Sequence, residues 1–515
     1  MAGYTKNYIY IYITQGVSML LGMLSLFIVI PYLSSNKELY GIYAICSSLT
    51  IFFSYADIGF VSSGQKFASE AFIKNENKSE MEILGFTNLI LICFMGFVSL
   101  IIFYLSSNPG ILIQGIDGLN SEVARKLMFI LACSSPIYCF QRIVQIIYSV
   151  RMSDYYFQVL QIVGNLLKIL SVFYFFRSSH YEVVEYYFCF QVISAIILIA
   201  SIFFASSKFN IDFFQILKNI KFERVTYDKL KGLAFASLYG SICWILYYEL
   251  DNMAISKMLG AKEVAIYSVA FSILSVFRNI FGTLYSPHIT RFNYFVGLND
   301  SRGLNKFVKM IIEFYLPFCL IPIIIMEIVS KPFIISWVGT NYMDSVAILS
   351  SLLCCNLLAF SSYPSSLYIT ATKKNKYLYI NSSIIVLVFW IGVFLTYKHF
   401  GAISFATMKA TGMIMSAIYS FTILFYIMKE SKYKFIMRLC RIYALPILMT
   451  IGLAYLVRPL MFYTYGKLPL MLNIVYIIGM GIVSYLFFYL FSSVQRQNIS
   501  QVFRILHKNS KTNIL

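Results

Sequence analysis

The sequence predicts an all-α, polytopic membrane protein of about fourteen transmembrane helices. Of its 515 residues, 59% are hydrophobic and only 12% are charged, and the mean hydropathy is +0.75. Soluble domains carry about 25% charged residues, so this composition excludes a soluble enzyme, a disordered chain and a coiled coil. The apolar runs are continuous and about 20 residues long, which fits spanning helices and disfavours the alternating segments of a β-barrel.

The first six predicted spans form an N-terminal lobe, residues 1–205. Each span is an apolar run bounded by polar or charged residues. No small-residue cleavage site follows the first run, which favours a retained span over a signal peptide. The six spans are residues 8–30, 39–60, 83–105, 127–149, 158–176 and 184–205.

A basic cytoplasmic connector, residues 206–231, follows the sixth span. Its apolar residues recur at helical spacing i, i+3, i+4 and i+7, namely Phe213, Ile216, Leu217 and Ile220. This pattern predicts an amphipathic helix with its apolar face in lipid and Lys218 and Lys221 near anionic headgroups. An ordinary connector is the alternative. The basic tail, residues 493–515, repeats the pattern with Ile499, Val502, Phe503 and Leu506.

A C-terminal lobe, residues 232–428, holds six further spans. They are residues 232–250, 264–287, 310–329, 346–368, 378–397 and 401–428. Two additional spans, residues 442–462 and 470–491, lie in the segment 429–492. The loops between spans are too short for a folded domain outside the membrane, and no phosphate-binding loop is present.

The net charge of +19 is explained by topology. Most Lys and Arg residues outside the spans fall in loops on the side of the termini, which predicts that both termini are cytoplasmic. We therefore expect membrane lipids and no nucleic acid among the partners. Ten Cys, mostly within apolar runs, and four scattered His suggest neither disulfides nor a metal site, and no cofactor is expected.

Four basic residues fall well inside predicted spans: Arg142, Lys168, Arg278 and Lys409. A Lys or Arg at a helix centre costs about 2.5–3.5 kcal/mol on insertion scales, so such residues usually face a cavity or a partner. One interpretation is a water-filled cationic cavity that binds phosphate, which implies an anionic substrate. In the other interpretation, each side chain snorkels to the surface or holds helices together.

Polar residues accompany these cations at helical spacing and are candidate substrate ligands. They are Gln141 and Gln145 beside Arg142, Gln161 and Asn165 before Lys168, and Ser275 and Asn279 around Arg278. Pro136 precedes Arg142 and permits a bend in its span. The acidic candidates lie near span ends and serve either ion coupling or helix capping: Asp57, Glu249 and Asp251.

Two segments resemble a known family. Residues 37–43 read KELYGIY and residues 57–60 read DIGF; residues 244–252 read WILYYELDN, and ISK, LG and YSVA follow at 255, 259 and 267. These segments resemble the Wzx-type flippases of polysaccharide repeat units, which act in O-antigen, capsule and lipopolysaccharide biosynthesis. That family is related to the multidrug and toxin extrusion transporters and to the lipid II flippases.

The resemblance implies two six-helix lobes arranged in a V around a central cavity. It implies a non-enzymatic transporter that moves undecaprenyl-pyrophosphate-linked oligosaccharides to the outer leaflet, together with a polymerase or ligase of the same pathway as partner. Coupling to protons or sodium ions is also implied. Family members often have twelve spans, and the extra pair here resembles the arrangement of the lipid II flippases.

Three alternative functions remain open from the residues. A lipid II-type flippase, or a flippase for another lipid-linked substrate, has the same expected features. A drug or toxin exporter would need acidic and aromatic residues to hold organic cations, whereas the central residues here are basic. A membrane oligosaccharide polymerase or ligase would need a sizeable external loop, and the predicted external loops are short.

Overall fold

The structure, a computed structural model, describes residues 2–55, 59–74, 76–177, 181–209, 211, 213–285 and 288–497. Within these residues the chain is helical, with no strand. By its internal contacts it divides into two compact units, Met1–Ser268 and Val269–Leu515. The lobe boundaries expected from hydropathy remain predictions.

Unit 1 holds eleven α-helices and the start of a twelfth. In chain order they are α1 Ala2–Leu33, α2 Lys37–Tyr55, α3 Phe60–Ile73, α4 Asn77–Ser107, α5 Gly118–Cys133, α6 Ser135–Val150, α7 Asp154–Phe175, α8 Val183–Phe209, α9 Phe213–Lys218, α10 Arg224–Trp244, α11 Asp251–Leu259 and α12 Ala261–Tyr285. A π-helical turn, Ile245–Glu249, joins α10 to α11.

Unit 2 contains the remainder of α12 and eight further helices. They are α13 His288–Gly297, α14 Ser301–Val338, α15 Asp344–Leu353, α16 Ala359–Ala371, α17 Asn375–Phe400, α18 Ala402–Met428, α19 Lys432–Val457 and α20 Lys467–Phe491. Asp300 caps α14, since its carboxylate accepts a hydrogen bond of 2.8 Å from the N–H of Gly303. Gly401, at φ 60°, forms the tight turn between α17 and α18, a conformation that suits glycine.

Eleven helices in the described residues are long and apolar enough to cross a membrane, or up to 13 if each of two bent pairs counts as one span. The bent pairs are α2 with α3, at 42°, and Asp344–Asn356 with α16, at 41°. Pro136 lies in the first turn of α6, and α5 and α6 together make a single span, Gly118–Val150. The predicted span 232–250 falls on α10 and the π-helical turn and is not among these helices, so the count of fourteen stays a prediction.

The core of unit 1 is apolar and aromatic. Tyr148 on α6 is fully buried, packs against Phe157 on α7 and Leu198 on α8, and donates a hydrogen bond of 2.9 Å to the carbonyl of Ser201. One buried ion pair is built into this unit, because Arg151 Nη1 lies 2.7 Å from Glu80 Oε1. The contact between the two buried charges offsets part of the cost of removing each from water.

The last two helices, α19 and α20, dock on α14 through buried polar contacts. Asn473 of α20 is fully buried. Its Nδ2 donates to Ser336 Oγ at 3.0 Å and to the carbonyl of Phe462 at 2.9 Å, while its Oδ1 accepts from the N–H of Phe462 at 2.9 Å. A buried amide satisfied on both sides fixes the position of α20 against α14.

The connector differs from its predicted form. The helix α9 covers only Phe213–Lys218, and Ile216 is 1% exposed. The prediction that Ile216 faces lipid is therefore wrong, because this side of α9 packs on the protein. The predicted amphipathic segment of the tail, from Ile499 onward, lies outside the described residues.

Candidate functional site

Arg142 lies half-buried near the middle of α6, in the C-terminal half of the span Gly118–Val150. Its Nη1 donates to Gln145 Oε1 at 3.3 Å, and its Nη2 donates to the carbonyl of Ser54 at 3.4 Å. Gln141 is half-buried and Gln145 is exposed. No carboxylate of the described residues lies within 4.0 Å of Arg142, and its described hydrogen-bond partners are neutral polar groups.

Gln65 on α3 extends this polar face and was not identified from the sequence. Its Nε2 donates a hydrogen bond of 2.5 Å to Ser149 Oγ, about one helical turn beyond Gln145 on α6. Gln65 and Gln145 are both exposed, although α6 belongs to a membrane-spanning segment. Exposed polar groups in such a helix avoid lipid. The sequence signal was the Ser62, Gln65 and Ser69 spacing on α3.

Lys168 on α7 is the second cation of unit 1. It is half-buried, and its Nζ lies 3.8 Å from the centre of the Phe190 ring on α8, a cation–π contact. Within the described chain, no carboxylate approaches it within 4.0 Å. Among the described residues, no hydrogen bond or ion pair connects Lys168 with Arg142. Arg142 contacts α2 instead.

The polar stripe of α7 has mixed roles. Gln158 Oε1 accepts a hydrogen bond of 2.7 Å from the Thr14 hydroxyl of α1, so it links two helices. Gln161 and Asn165 are half-buried. The Nε2 atom of Gln161 is buried and makes no hydrogen bond with the described residues. This donor therefore remains available to a polar ligand.

Arg278 and its neighbours belong to unit 2. Arg278 is half-buried on α12 and close enough to Tyr363 on α16 to interact electrostatically with its hydroxyl. Tyr363 stacks on Tyr285, with ring centres 5.1 Å apart. Ser275 donates to the carbonyl of Phe271 at 3.0 Å, and Asn279 is exposed.

Lys409 lies deep within unit 2. It is fully buried on α18, and its Nζ lies 5.1 Å from the centre of the Phe389 ring and 5.5 Å from that of Phe271. Aromatic rings on two sides make a favourable electrostatic environment for an ammonium group. Its surroundings therefore differ from the partly exposed settings of Arg142, Lys168 and Arg278.

Two of the three acidic candidates, Glu249 and Asp251, lie at the π-helical turn. Glu249 Oε1 accepts a hydrogen bond of 3.3 Å from the indole Nε1 of Trp244. Asp251 is 2% exposed and accepts a short hydrogen bond from the Tyr267 hydroxyl on α12. π-Helical turns are rare and frequently lie at functional sites. Asp57, the third acidic candidate, lies outside the described residues.

The far end of α11 is fixed within unit 1. Ser256 Oγ donates to the carbonyl of Leu112 at 2.9 Å, and the N–H of Gln114 donates to the carbonyl of Ser256 at 3.1 Å. The helix that follows α11 begins at Ala261. A Cβ placed on Gly41 of α2 would lie 1.9 Å from the carbonyl oxygen of Ala261. The start of α12 thus packs directly against the backbone of α2.

No model of a known protein family matches the chain, and no curated protein does. Solved transporter structures do match. The lipid II flippase MurJ in an inward closed conformation has a TM-score of 0.69 at 15% identity, over 93% of this chain and 98% of that one. An inward-facing multidrug resistance transporter of the MATE family gives 0.60 at 15% identity, over 81% of this chain and 98% of that one.

An outward-facing MATE transporter also matches, with a TM-score of 0.56 at 13% identity, over 83% of this chain and 96% of that one. Each match covers nearly the whole of the solved chain, so the likeness concerns the architecture and not a shared motif. The identity is too low to transfer activity. The chain therefore has the fold that MurJ shares with the MATE transporters of the MOP superfamily.

Proposed function

We propose that the protein is a flippase that moves undecaprenyl-pyrophosphate-linked oligosaccharide repeat units from the inner to the outer leaflet of a bacterial cytoplasmic membrane. The observation that carries the proposal is the setting of Arg142 and Lys168, two cations inside spanning helices without a described carboxylate within 4.0 Å. A pyrophosphate would supply the missing negative charge. The fold of a flippase supports the proposal.

In this mechanism the headgroup enters a cavity from the inner leaflet while the lipid tail stays in the bilayer. Arg142 and Lys168 attract the pyrophosphate, Arg278 and Lys409 of unit 2 are further candidate cations, and the Gln, Asn and Ser side chains bind sugar hydroxyls. Alternating access then exposes the cavity to the outside. An inside-negative membrane potential favours outward movement of negative charge by about 2.3 kcal/mol per charge per 100 mV, before dielectric shielding.

The experiment is transport of a fluorescent undecaprenyl-pyrophosphate oligosaccharide by the full chain in proteoliposomes. Arg142→Ala and Lys168→Ala should each lower the transport rate by about tenfold, since each loses a charge-assisted contact. Arg142→Lys should retain part of the rate. Lys126→Ala, which changes an exposed surface ion pair, is the matched control. Wild-type rates in both Ala variants would contradict the proposal.

Assays with other substrates distinguish the proposed flippase from the alternative functions. Faster transport of lipid II than of the oligosaccharide lipid would indicate a lipid II-type flippase. Export of cationic dyes would indicate a drug or toxin exporter. Altered polymer length in cells, with unchanged lipid translocation, would indicate a polymerase or ligase.

Ion coupling and orientation are further parts of the proposal. Glu249 ends the π-helical turn, Asp251 begins α11, and both are the described candidates for proton or sodium coupling. Transport should then respond to an imposed proton or sodium gradient, and Asp251→Asn should lose that response while retaining transport driven by potential. The basic bias of the loops supports cytoplasmic termini, which protease accessibility in sealed vesicles tests.

A further inference from the structure

The connector between α8 and α10 has one side packed on the protein. Ile216 of α9 is buried, and the carbonyl oxygen of Asn219 lies 2.3 Å from the place that a Cβ on Gly85 would take. Gly85 stands where the polar start of α4 gives way to its long apolar run. The connector therefore rests on α4 at the level where the apolar part of the helix begins.

Several apolar side chains of the connector and of the first turn of α10 are exposed, although the Phe222 ring also contacts that of Phe86 on α4, with ring centres 5.8 Å apart. Phe214, Phe222 and Val225 are 73%, 63% and 82% exposed, and Leu217 is also exposed. We name these four residues the connector face. Four large apolar side chains exposed together on one short segment are unusual at a surface in contact with water.

Two cations accompany the connector face. Lys218 and Arg224 are exposed, and no carboxylate of the described chain lies within 4.0 Å of either. Lys221, by contrast, is paired with Glu223 at 2.7 Å. Exposed apolar groups flanked by exposed positive charge match the chemistry of an anionic lipid surface, with acyl chains below and phosphates above.

The connector face continues the lipid-facing surface of α8. Ile199 and Phe203 are exposed on this spanning helix, and the connector begins directly after it. Near its end, Lys208 places its Nζ 3.3 Å from the centre of the Tyr156 ring, as expected where apolar and polar layers meet. The connector thus follows the lipid-facing surface of α8 in the chain, with Lys208 at the level between them.

We propose that the connector face is a membrane-docking surface, inserted at the headgroup level of a leaflet that contains anionic phospholipids. Phe214, Leu217, Phe222 and Val225 enter the acyl boundary, and Lys218 and Arg224 bind lipid phosphates. This differs from the helix predicted from the sequence, in which Ile216 would face lipid. The inference concerns the bilayer and does not depend on the transported substrate.

The test uses tryptophan as a depth probe in the full chain. Phe214→Trp and Phe222→Trp variants are reconstituted into vesicles that contain phosphatidylglycerol and a phosphatidylcholine brominated near the headgroup. The unmodified protein gives the background of its three native Trp. Phe203→Trp on α8 is the lipid-facing control, and a free tryptophan amide is the water control.

The added fluorescence should be quenched strongly by the brominated lipid and weakly by aqueous iodide. Strong iodide quenching without bromine quenching would place the connector face in water and overturn the proposal. Weak quenching by both would mean that protein covers the face, which also overturns it. Phe203→Trp must show bromine quenching, which confirms a correctly inserted fold.

The charges are tested with Lys218→Glu/Arg224→Glu in the Phe222→Trp background. In vesicles with phosphatidylglycerol, bromine quenching should fall by about twofold, because repulsion from anionic headgroups lifts the connector. In purely zwitterionic vesicles, quenching should be the same with and without the charge reversal. An equal fall in both lipid mixtures would reject the anionic headgroup as the partner of these two cations.

Discussion

The hydroxyl of Tyr443 on α19 donates a hydrogen bond of 3.0 Å to the backbone carbonyl of Glu313 on α14. Pro317 follows Glu313 by four residues and has no N–H, so the helix itself leaves this carbonyl without its usual donor. Gln495 Nε2 donates to the same oxygen at 2.7 Å. A proline inside α14 thus creates the acceptor through which the last two spans attach.

Tyr443→Phe should lower the stability of the protein by about 1 kcal/mol, because one donor to a buried carbonyl is lost. Tyr443→Phe/Gln495→Ala should cost more than the sum of the single changes, since the carbonyl is then unsatisfied. Tyr455→Phe, on the exposed side of the same helix, is the control. Thermal unfolding in detergent measures the wild type, Tyr443→Phe, Gln495→Ala, the double variant and the control. A double variant as stable as the wild type would contradict the attachment.

Gly41→Ala should destabilise unit 1 by about 1–3 kcal/mol, the usual range for overpacking. The new Cβ would lie 1.9 Å from the carbonyl oxygen of Ala261, so α2 and α12 must separate. Gly96→Ala meets nothing within 4 Å and should stabilise its helix by up to about 1 kcal/mol. The unfolding temperature should therefore fall for Gly41→Ala and rise for Gly96→Ala. If both variants shifted it in the same direction, the close approach of α2 to Ala261 would be disproved.

Glu80→Gln should destabilise the protein by about 3–5 kcal/mol, because it leaves Arg151 buried without a counter-charge. The side chains of Arg151 and Glu80 are 9% and 1% exposed. Glu122→Gln breaks the exposed pair with Lys126 and should change stability far less. Chemical unfolding of both variants checks the contrast, and replacing Glu80 and Arg151 together by Leu should restore part of the loss.

His288, at the start of α13, should make stability dependent on pH. Its Nε2 lies 2.7 Å from the Tyr315 hydroxyl, and burial lowers its pKa below the ordinary 6.5. The folded state therefore binds this proton more weakly than the unfolded state. Its contribution is complete above about pH 6.5 and is lost as the pH falls below that value.

The measurement is the unfolding temperature of the wild type and of His288→Gln between about pH 7.5 and about pH 5.5. The Gln variant keeps a hydrogen-bonding partner for Tyr315 and does not titrate in this range. Its acid-induced decrease should be smaller than that of the wild type. Equal decreases would show that other groups control the acid sensitivity.

The membrane class and the positions of most spans were predictable from the sequence, because hydrophobicity over about 20 residues is a local property. The candidate site was predictable only as a set of residue types. Gln65 was missed because α3 reads as the polar end of a span, and its contact with Ser149 joins residues 84 positions apart. Ile216 was assigned to the wrong side because a helical wheel does not reveal which face meets protein.

The sequence by itself determined an all-helical membrane protein, its long apolar helices and the four cations within them. Only the tertiary structure decided that Lys409 is fully buried beside two aromatic rings, that Arg142 donates to neutral groups on α2 and α6, and that Tyr443 supplies the donor that Pro317 removes. The reason is physical. The bilayer selects spans by their own composition, whereas the environment of each polar side chain depends on helices distant in the chain that pack against it.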